Sequence, residues 1–442
     1  MTRLNSRIDE GKASVLQRLS LWRKARLAIS DYRYHLSLFS RNVRLYLTGS
    51  FLIGLTFATY QLLLNLYLRE QGMSESFIGS ILSKGAIGMT LTAIPAAFVL
   101  RRIRLKKILL ITTIIYVAAI YALTHLPISD WLMVISLVAG MSLTFYRVAA
   151  SPFFMRNTSR KERTYVFSFS FGMMLLASMS GSMVFGKMAD FLGDVLSNDV
   201  AGYQWTFAFS VLLGLSAVIP FGLIKAADPS EDSDRADLSF ALFRKQLKLY
   251  SKLFFPSFMT GIGAGLIIPF LNIYFRDRFT LEPDTIGYFF SAVHTTMLIG
   301  ILAGPILVKR MGMIRAIVST QLLSMPFMVI LAFTHNIVLA FAAFLIRGAL
   351  MNLGNPIGRN FGMEMVGRSE QALVNALMML SWTGAWMVST EIGGRLIERY
   401  GYTLPLLIAI GLYFISSIMY FWFFKDSEKR TSEGYLIQMP EH

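Results

Sequence analysis

Long apolar runs, each broken off by a short cluster of charge, recur along the whole chain and leave few ways for it to fold. Between the charged breaks they read 45–68, 77–100, 108–127, 131–153, 165–186 and 203–224, then 253–275, 286–308, 314–333, 336–356, 372–396 and 403–424. As helices rising about 1.5 Å per residue, all are long enough to cross about 30 Å of hydrocarbon. Helices are required, because lipid offers the backbone no hydrogen-bond partner. The expected fold class is an all-α membrane protein with twelve transmembrane helices. Composition points the same way: 55% of the residues are hydrophobic and 15% charged, where a soluble domain carries about 25% charged residues.

The charges alternate from loop to loop. One set holds Arg101, Arg102, Arg104, Lys106 and Lys107, then Arg156, Arg160, Lys161 and Arg163, then Lys309, Arg310 and Arg315. The intervening loops are short, as at His125–Asp130, or acidic, with Asp190, Asp194 and Asp199. The positive-inside rule places both termini and the long central linker in the cytoplasm, with the chain in an inner (plasma) membrane. The net charge of +16 therefore serves topology, and no nucleic-acid partner is expected, because the basic clusters flank apolar runs and build no recognition fold. Residues 1–41 form a basic tail without the early, short apolar stretch of a cleavable signal. Within it, Val15–Ile29 reads either as an amphipathic helix lying on anionic lipid or as a disordered segment that sets topology. The chain has no cysteine, which excludes a disulfide framework, a thiolate metal site and a cysteine nucleophile.

The two sets of six runs repeat each other. Asn65-Leu-Tyr67-Leu-Arg69-Glu70 returns as Asn272-Ile-Tyr274-Phe-Arg276-Asp277, and Ile78-Gly79 as Ile286-Gly287. Arg101-Arg102 returns as Lys309-Arg310, and the Gly186, Asp190, Gly193 spacing as Gly394, Glu398, Gly401. The offset holds at 207–208 residues throughout. The expected organisation is a tail (1–41), a six-helix bundle (42–224), a cytoplasmic linker (225–248), a second six-helix bundle (249–425) and a tail (426–442). Parallel halves of this kind place a substrate path at their interface, which rocking exposes to each side in turn.

On the repeat and on several degenerate motifs, the chain resembles the major facilitator superfamily over nearly its whole length, in its bacterial efflux-permease-like branch. The family signature after the second helix, G-x-L-x-D-R-x-G-R-K, is met by Ala97-Phe-Val-Leu-Arg101-Arg102-Ile-Arg104-Leu-Lys106, with bases where the acid and second glycine belong. Its counterpart, Pro305-Ile-Leu-Val-Lys309-Arg310-Met-Gly312, departs in the same way. The pattern is better kept at Gly186, Asp190 and Gly193 and at Gly394, Glu398 and Gly401. The resemblance implies gating at these motifs; water-exposed charge and close helix approach is the other reading. The segment Arg347-Gly348-Ala-Leu-Met-Asn352-Leu-Gly354-Asn355-Pro356 is similar to a family arginine helix, and Arg147 is its weaker match in the fourth run. The exporter signature of the fifth helix is degenerate: Gly172, Gly181 and Gly186 are present, with Ser182 at the proline position.

Ionisable groups inside a membrane are costly and mark a pathway by default. Candidates for the substrate path are Lys84, Arg147 and Arg347, with snorkelling or ties to helix carbonyls as the structural alternative. Tyr60, Gln61, Asn65, Asn272, Asn352, Asn355 and the pair Trp382 and Trp386, four apart on one helical face, are candidate lining groups or helix-to-helix ties. Glu391, the one carboxylate well inside a run, and His294 are candidates for proton coupling. Three buried bases against one acid suit neutral, amphipathic or anionic solutes better than lipophilic cations.

The expected function is a secondary active transporter, a monomeric permease exporting a small organic solute with H+ as a candidate coupling ion. A proton-coupled importer or organic-anion exchanger is the alternative within transport, and a non-transporting membrane sensor the alternative outside it. No cofactor or metal is expected, and no enzyme: the sequence has no phosphate loop, His cluster or nucleophile elbow.

Overall fold

A computed structural model describes residues 39–158, 160–225, 247–366 and 371–425. The tail with Val15–Ile29, nearly all of the linker and residues 426–442 lie outside these. Among the described residues the chain is helical throughout, without a strand. In chain order the helices are α1 (Arg41–Glu70), α2 (Glu75–Arg102), α3 (Leu105–His125), α4 (Trp131–Asn157), α5 (Arg160–Leu196) and α6 (Asp199–Leu223). The second set is α7 (Leu247–Phe279), α8 (Pro283–Met311), α9 (Met313–Phe333), α10 (Ile337–Glu364), α11 (Gln371–Tyr400) and α12 (Thr403–Phe424). Ten of these are long and apolar enough to cross a membrane on that basis alone. The other two, α8 and α11, are as long, at 29 and 30 residues. Both contain residues whose side chains lie outside the described set, and their described parts carry polar groups such as Thr285, Ser291 and His294 in one and Ser381, Thr383 and Glu391 in the other.

The helices outrun the apolar runs. α5 continues ten residues past the expected end at 186, carrying Lys187, Asp190 and Asp194 on polar faces. Hydropathy marks where hydrocarbon ends, whereas the backbone ladder continues into water wherever residues tolerate it. Turns are set locally: Ser74, Asn198 and Asn336 cap the starts of α2, α6 and α10 by accepting backbone N–H groups. α7 is interrupted by a 3₁₀ turn at Ile268–Phe270, where Pro269 lacks the N–H that an α-helix needs.

The repeat in sequence is a repeat in space. α1 packs on α5 and α6, and α4 on α2 and α3; α7 packs on α11 and α12, and α10 on α8 and α9. Tyr67 donates its hydroxyl to the Thr124 carbonyl at 2.7 Å, and Tyr274, 207 residues on, donates to the Leu331 carbonyl at 2.8 Å. Between the sets, the main seams are α2 on α11 and α5 on α8.

Phe39 and Lys425 lie at one end of the molecule, called proximal below; the turns at 71–74, 280–282 and 401–402 lie at the other, distal end. The cores differ between the ends. The distal half holds a single apolar core to which both sets contribute, including Leu66, Tyr67, Ile78 and Phe207 with Phe270, Tyr274, Ile286 and Phe344. The proximal half holds two separate cores. One contains Tyr46, Leu109, Phe154 and Phe221 from the first set, the other Tyr250, Ile317, Phe361 and Phe424 from the second. Among the described residues, the two sets share an apolar core distally and have one core each proximally.

Candidate functional site

The distal closure is built from the residues that repeat. Arg69 pairs with Glu75 at 3.2 Å and crosses to Asp277 at 3.5 Å. Arg276 pairs with Glu282 at 2.7 Å and crosses to Glu70 at 3.2 Å. Each arginine thus holds one acid of its own half and one of the other. Tyr402 donates to Asp277 at 2.8 Å, and burial beside that carboxylate pushes its phenol well above the usual range. One turn inward, Asn272 donates to the Leu62 carbonyl at 2.7 Å, and Asn65 donates to Asn272 Oδ1 and to the carbonyl of Pro269, at the helix interruption.

The seams beside this closure depend on glycine. A Cβ on Gly394 would stand 2.2 Å from the Glu75 carbonyl and 3.2 Å from Gly79 Cα. On the other seam, a Cβ on Gly186 would stand 2.7 Å from the Pro283 carbonyl and 3.0 Å from Gly287 Cα. Only hydrogen at these positions lets α2 meet α11 and α5 meet α8 backbone to backbone. Glu398 accepts the Ser76 N–H at 3.1 Å, serving as a cap for α2 from the opposite half, and Ser83 donates to the Met387 carbonyl. These hydrogen bonds and ion pairs between the halves fall in the distal half of the helices.

Inward of the asparagine tie lies a different environment. Gln61, one turn from Asn65, is exposed, and Phe57, a further turn on, carries the Arg147 guanidinium 5.0 Å above its ring. Arg147 is ten residues from the end of α4 at Asn157, or about 15 Å at 1.5 Å per residue. It is surrounded by protein and still open to solvent. A lipid-facing side chain could not be so enclosed, and a core one could not be so open; a cleft between the two halves gives both. Tyr116 and Tyr146 flank the guanidinium, and Arg359 of α10 is its charged neighbour from the other half. Tyr60 Oη lies beside Ser136 and Gly85 behind this group.

The family model described as Major Facilitator Superfamily matches residues 46–390 and 253–435, together nearly the whole chain. The chain belongs to the Major Facilitator Superfamily. Among curated relatives, the MFS-type transporter YcaD of Shigella flexneri is 22% identical over 391 residues, covering 87% of this chain and 96% of that one. Sugar efflux transporter B of Salmonella typhimurium is 23% identical over 182 residues, 40% of this chain and 45% of that one. Among solved structures, the nucleoside transporter NupG superposes with a TM-score of 0.71 at 13% identity, covering 87% of this chain and 99% of that one. A bacterial homologue of the human lysosomal transporter Spinster, in an inward-facing, unoccupied conformation, gives 0.68 at 14% over 88% and 96%. At these identities the structures establish the shared fold.

As a superfamily member the chain places its sequence-predicted site residues unevenly. Arg147 and Gln61 are exposed toward the cleft, Tyr60 lies behind them against Ser136, and Asn65 and Asn272 form the distal roof. Arg347 does not join them: it is 4% exposed and donates to Tyr413 Oη at 3.1 Å, tying α10 to α12 within the second half. Lys84 stands on the face of Leu91, which is 64% exposed, away from Leu82 and Met89 that pack on the core; the structure does not bring it to Arg147. Asn352 donates to the Gly348 carbonyl at 2.9 Å within its own helix. The Asn355, Arg101 and Arg102 side chains lie outside the described residues, and Lys309 and Arg310 are exposed at the proximal end of α8. Trp382 and Trp386 lie with ring centroids 6.0 Å apart; Trp386 packs against Gly265 of α7, and its buried indole N–H lacks a partner among the described residues.

Neither proton-coupling candidate reaches the Arg147 group. Glu391 is held by Arg395 at 2.6 Å, one turn away on the same helix near the distal end, with both side chains partly in solvent. His294 bonds the Phe290 carbonyl through Nδ1 at 2.6 Å and shares the α5-facing side of α8 with Gly287, two turns inward of the seam. Gly193 and Gly401 serve turns: Gly193 abuts Asp199 at the start of α6, and Gly401 has φ +68° after α11. Asp190 sits among Asp194, Asp199, Glu282 and Asp284 beside the distal rim. The ion-pair residues Arg69, Glu70, Glu75, Arg276, Asp277 and Glu282 were not among the sequence-predicted site residues. Their recurrence at one offset was the signal that could have found them.

Proposed function

We propose that this protein is a secondary active transporter that moves a small organic solute across the inner membrane by alternating access, acting as an exporter. It does so as a monomer with twelve spans and both termini in the cytoplasm. One observation carries the reading: among the described residues a single apolar core joins the halves distally, while each half has its own core proximally. Such an arrangement is open on one side only, and rocking the halves about the distal seams would open the other. The basic residues Lys106, Lys107, Arg156, Lys309, Arg310 and Arg315 all lie at the proximal end, which supports a cytoplasmic opening. The curated relative named for sugar efflux supports the outward direction.

Reconstitution tests this. Proteoliposomes under an imposed pH gradient are assayed with lactose, uridine and benzoate, and distal distances are followed by spin labels. The expected result is protein-dependent flux of at least one solute and a second, distally open population. Flux equal to that of empty vesicles, with one unchanging distance distribution, would overturn the proposal.

A further inference from the structure

We infer that the cleft binds an organic anion, its oxyanion group held between the guanidinium groups of Arg147 in α4 and Arg359 in α10. This rests on the transporter reading and names the class of its solute.

The first support is an imbalance of charge. Arg147 lies exposed over Phe57, and Arg359 of the opposite half, also exposed, is within electrostatic reach of it. No ion pair with a carboxylate is found for either among the described residues, whereas the distal Arg69 and Arg276 each pair with two. A guanidinium cannot shed its proton to relieve the repulsion. Two like charges within electrostatic reach of each other in a membrane cleft repel, and an anion between them would relieve that repulsion. The second support is a spare donor. Tyr116 is 2% exposed, sits beside Arg147, and its hydroxyl has no hydrogen-bond partner among the described residues. Buried hydroxyls are normally satisfied. An oxyanion at the guanidinium would supply both the missing charge and an acceptor, and the planar donor fork of arginine matches carboxylate or phosphate geometry. The third is shape. Phe57 forms an apolar wall and Gln61 a polar group toward the Asn65 and Asn272 roof, so the anion's organic remainder has a surface to rest on. Because the two arginines come from different halves, the bound anion would also bridge the parts that must move.

The test uses purified full-length protein and three probes of one shape: benzoate, neutral benzamide and cationic benzamidine. Thermal unfolding is followed at graded probe concentration in wild type, Arg147→Lys, Arg147→Gln, Arg359→Gln and the charge-loss control Lys107→Gln, which is exposed at the proximal end. Benzoate alone should stabilise wild type and Lys107→Gln. Its apparent affinity should fall about ten- to hundredfold in Arg147→Gln and Arg359→Gln, as expected for a charged hydrogen bond, and be partly kept in Arg147→Lys. Arg359→Gln guards against misfolding, since that side chain is exposed. Equal stabilisation by benzamide or benzamidine, a benzoate effect that survives both Gln variants, or no benzoate effect in wild type overturns the inference. The two readings fail separately. If benzoate binds through Arg147 but no gradient drives any probe across proteoliposomes, the site stands and the transport reading falls. If wild type moves a solute across proteoliposomes but benzoate binding is the same in wild type, Arg147→Gln and Arg359→Gln, transport stands and the anion site falls.

Discussion

The crossed ion pairs at the distal end should set how often the protein opens there, and the double variant Glu70→Gln/Asp277→Asn isolates that effect. Each arginine keeps the acid of its own half, Glu75 for Arg69 and Glu282 for Arg276, so neither is left without a partner. The amide introduced at position 277 could still accept from Tyr402. What is lost is the two pairs that span the halves, at 3.5 and 3.2 Å. Their side chains are between a quarter and two-fifths exposed, so solvent screens them and each is worth about 1 kcal/mol. Together they hold the distal end shut by about 2 kcal/mol, which is roughly a 30-fold change in the closed-to-open ratio. A distally open population of about 1% would rise to about 20%. The chain has no native cysteine, so spin labels at Ser129→Cys and His335→Cys, exposed on distal turns of opposite halves, report only the intended distance. The expected outcome is a longer component that grows in the double variant and, in wild type, with added salt. An unchanged distribution, or a shift toward the shorter distance, would refute the assignment of these pairs to closure.

Further outcomes follow from individual contacts. Gly394→Ala places a methyl within 2.2 Å of the Glu75 carbonyl, so the variant should favour the distally open form and lose flux. Gly411→Ala, with nothing within 4 Å of its added Cβ, should match wild type in the same distance and flux assays. Arg347→Gln should lower thermal stability by about 1–3 kcal/mol through loss of the charged bond to Tyr413. It should leave the probe-affinity ratios of the remaining protein unchanged, and loss of benzoate selectivity would show a role in binding. Glu391→Gln, which removes only a same-helix pair with Arg395, should keep the pH-gradient dependence of transport; its disappearance would restore Glu391 as the proton carrier.

Much of the architecture was legible in the amino-acid order, because a bilayer leaves the backbone so few options. Apolar run length and charge alternation were enough to expect helices and the placement of basic loops, and the offset of 207–208 residues was enough to expect two like halves. The same offset contained the distal closure, since Arg69 with Glu70 and Arg276 with Asp277 are repeats of one another. That they exchange acids across the halves depends on how the copies face each other, and no periodicity encodes that. Helix rotation separated the remaining candidates. Arg147 and Arg347 are both arginines inside apolar runs, yet one reaches the cleft and the other ties α10 to Tyr413. Lys84 has as much claim by sequence as Arg147, but its face turns toward Leu91. Arg359 lies just past the tenth apolar run, 336–356, where a charge is ordinary, and only its nearness to Arg147 across the halves sets it apart. A membrane chain's own order determines where its helices lie, since each span answers to lipid separately. Which of its costly polar groups meet is decided by packing between helices far apart in the chain, and there alone the site takes form.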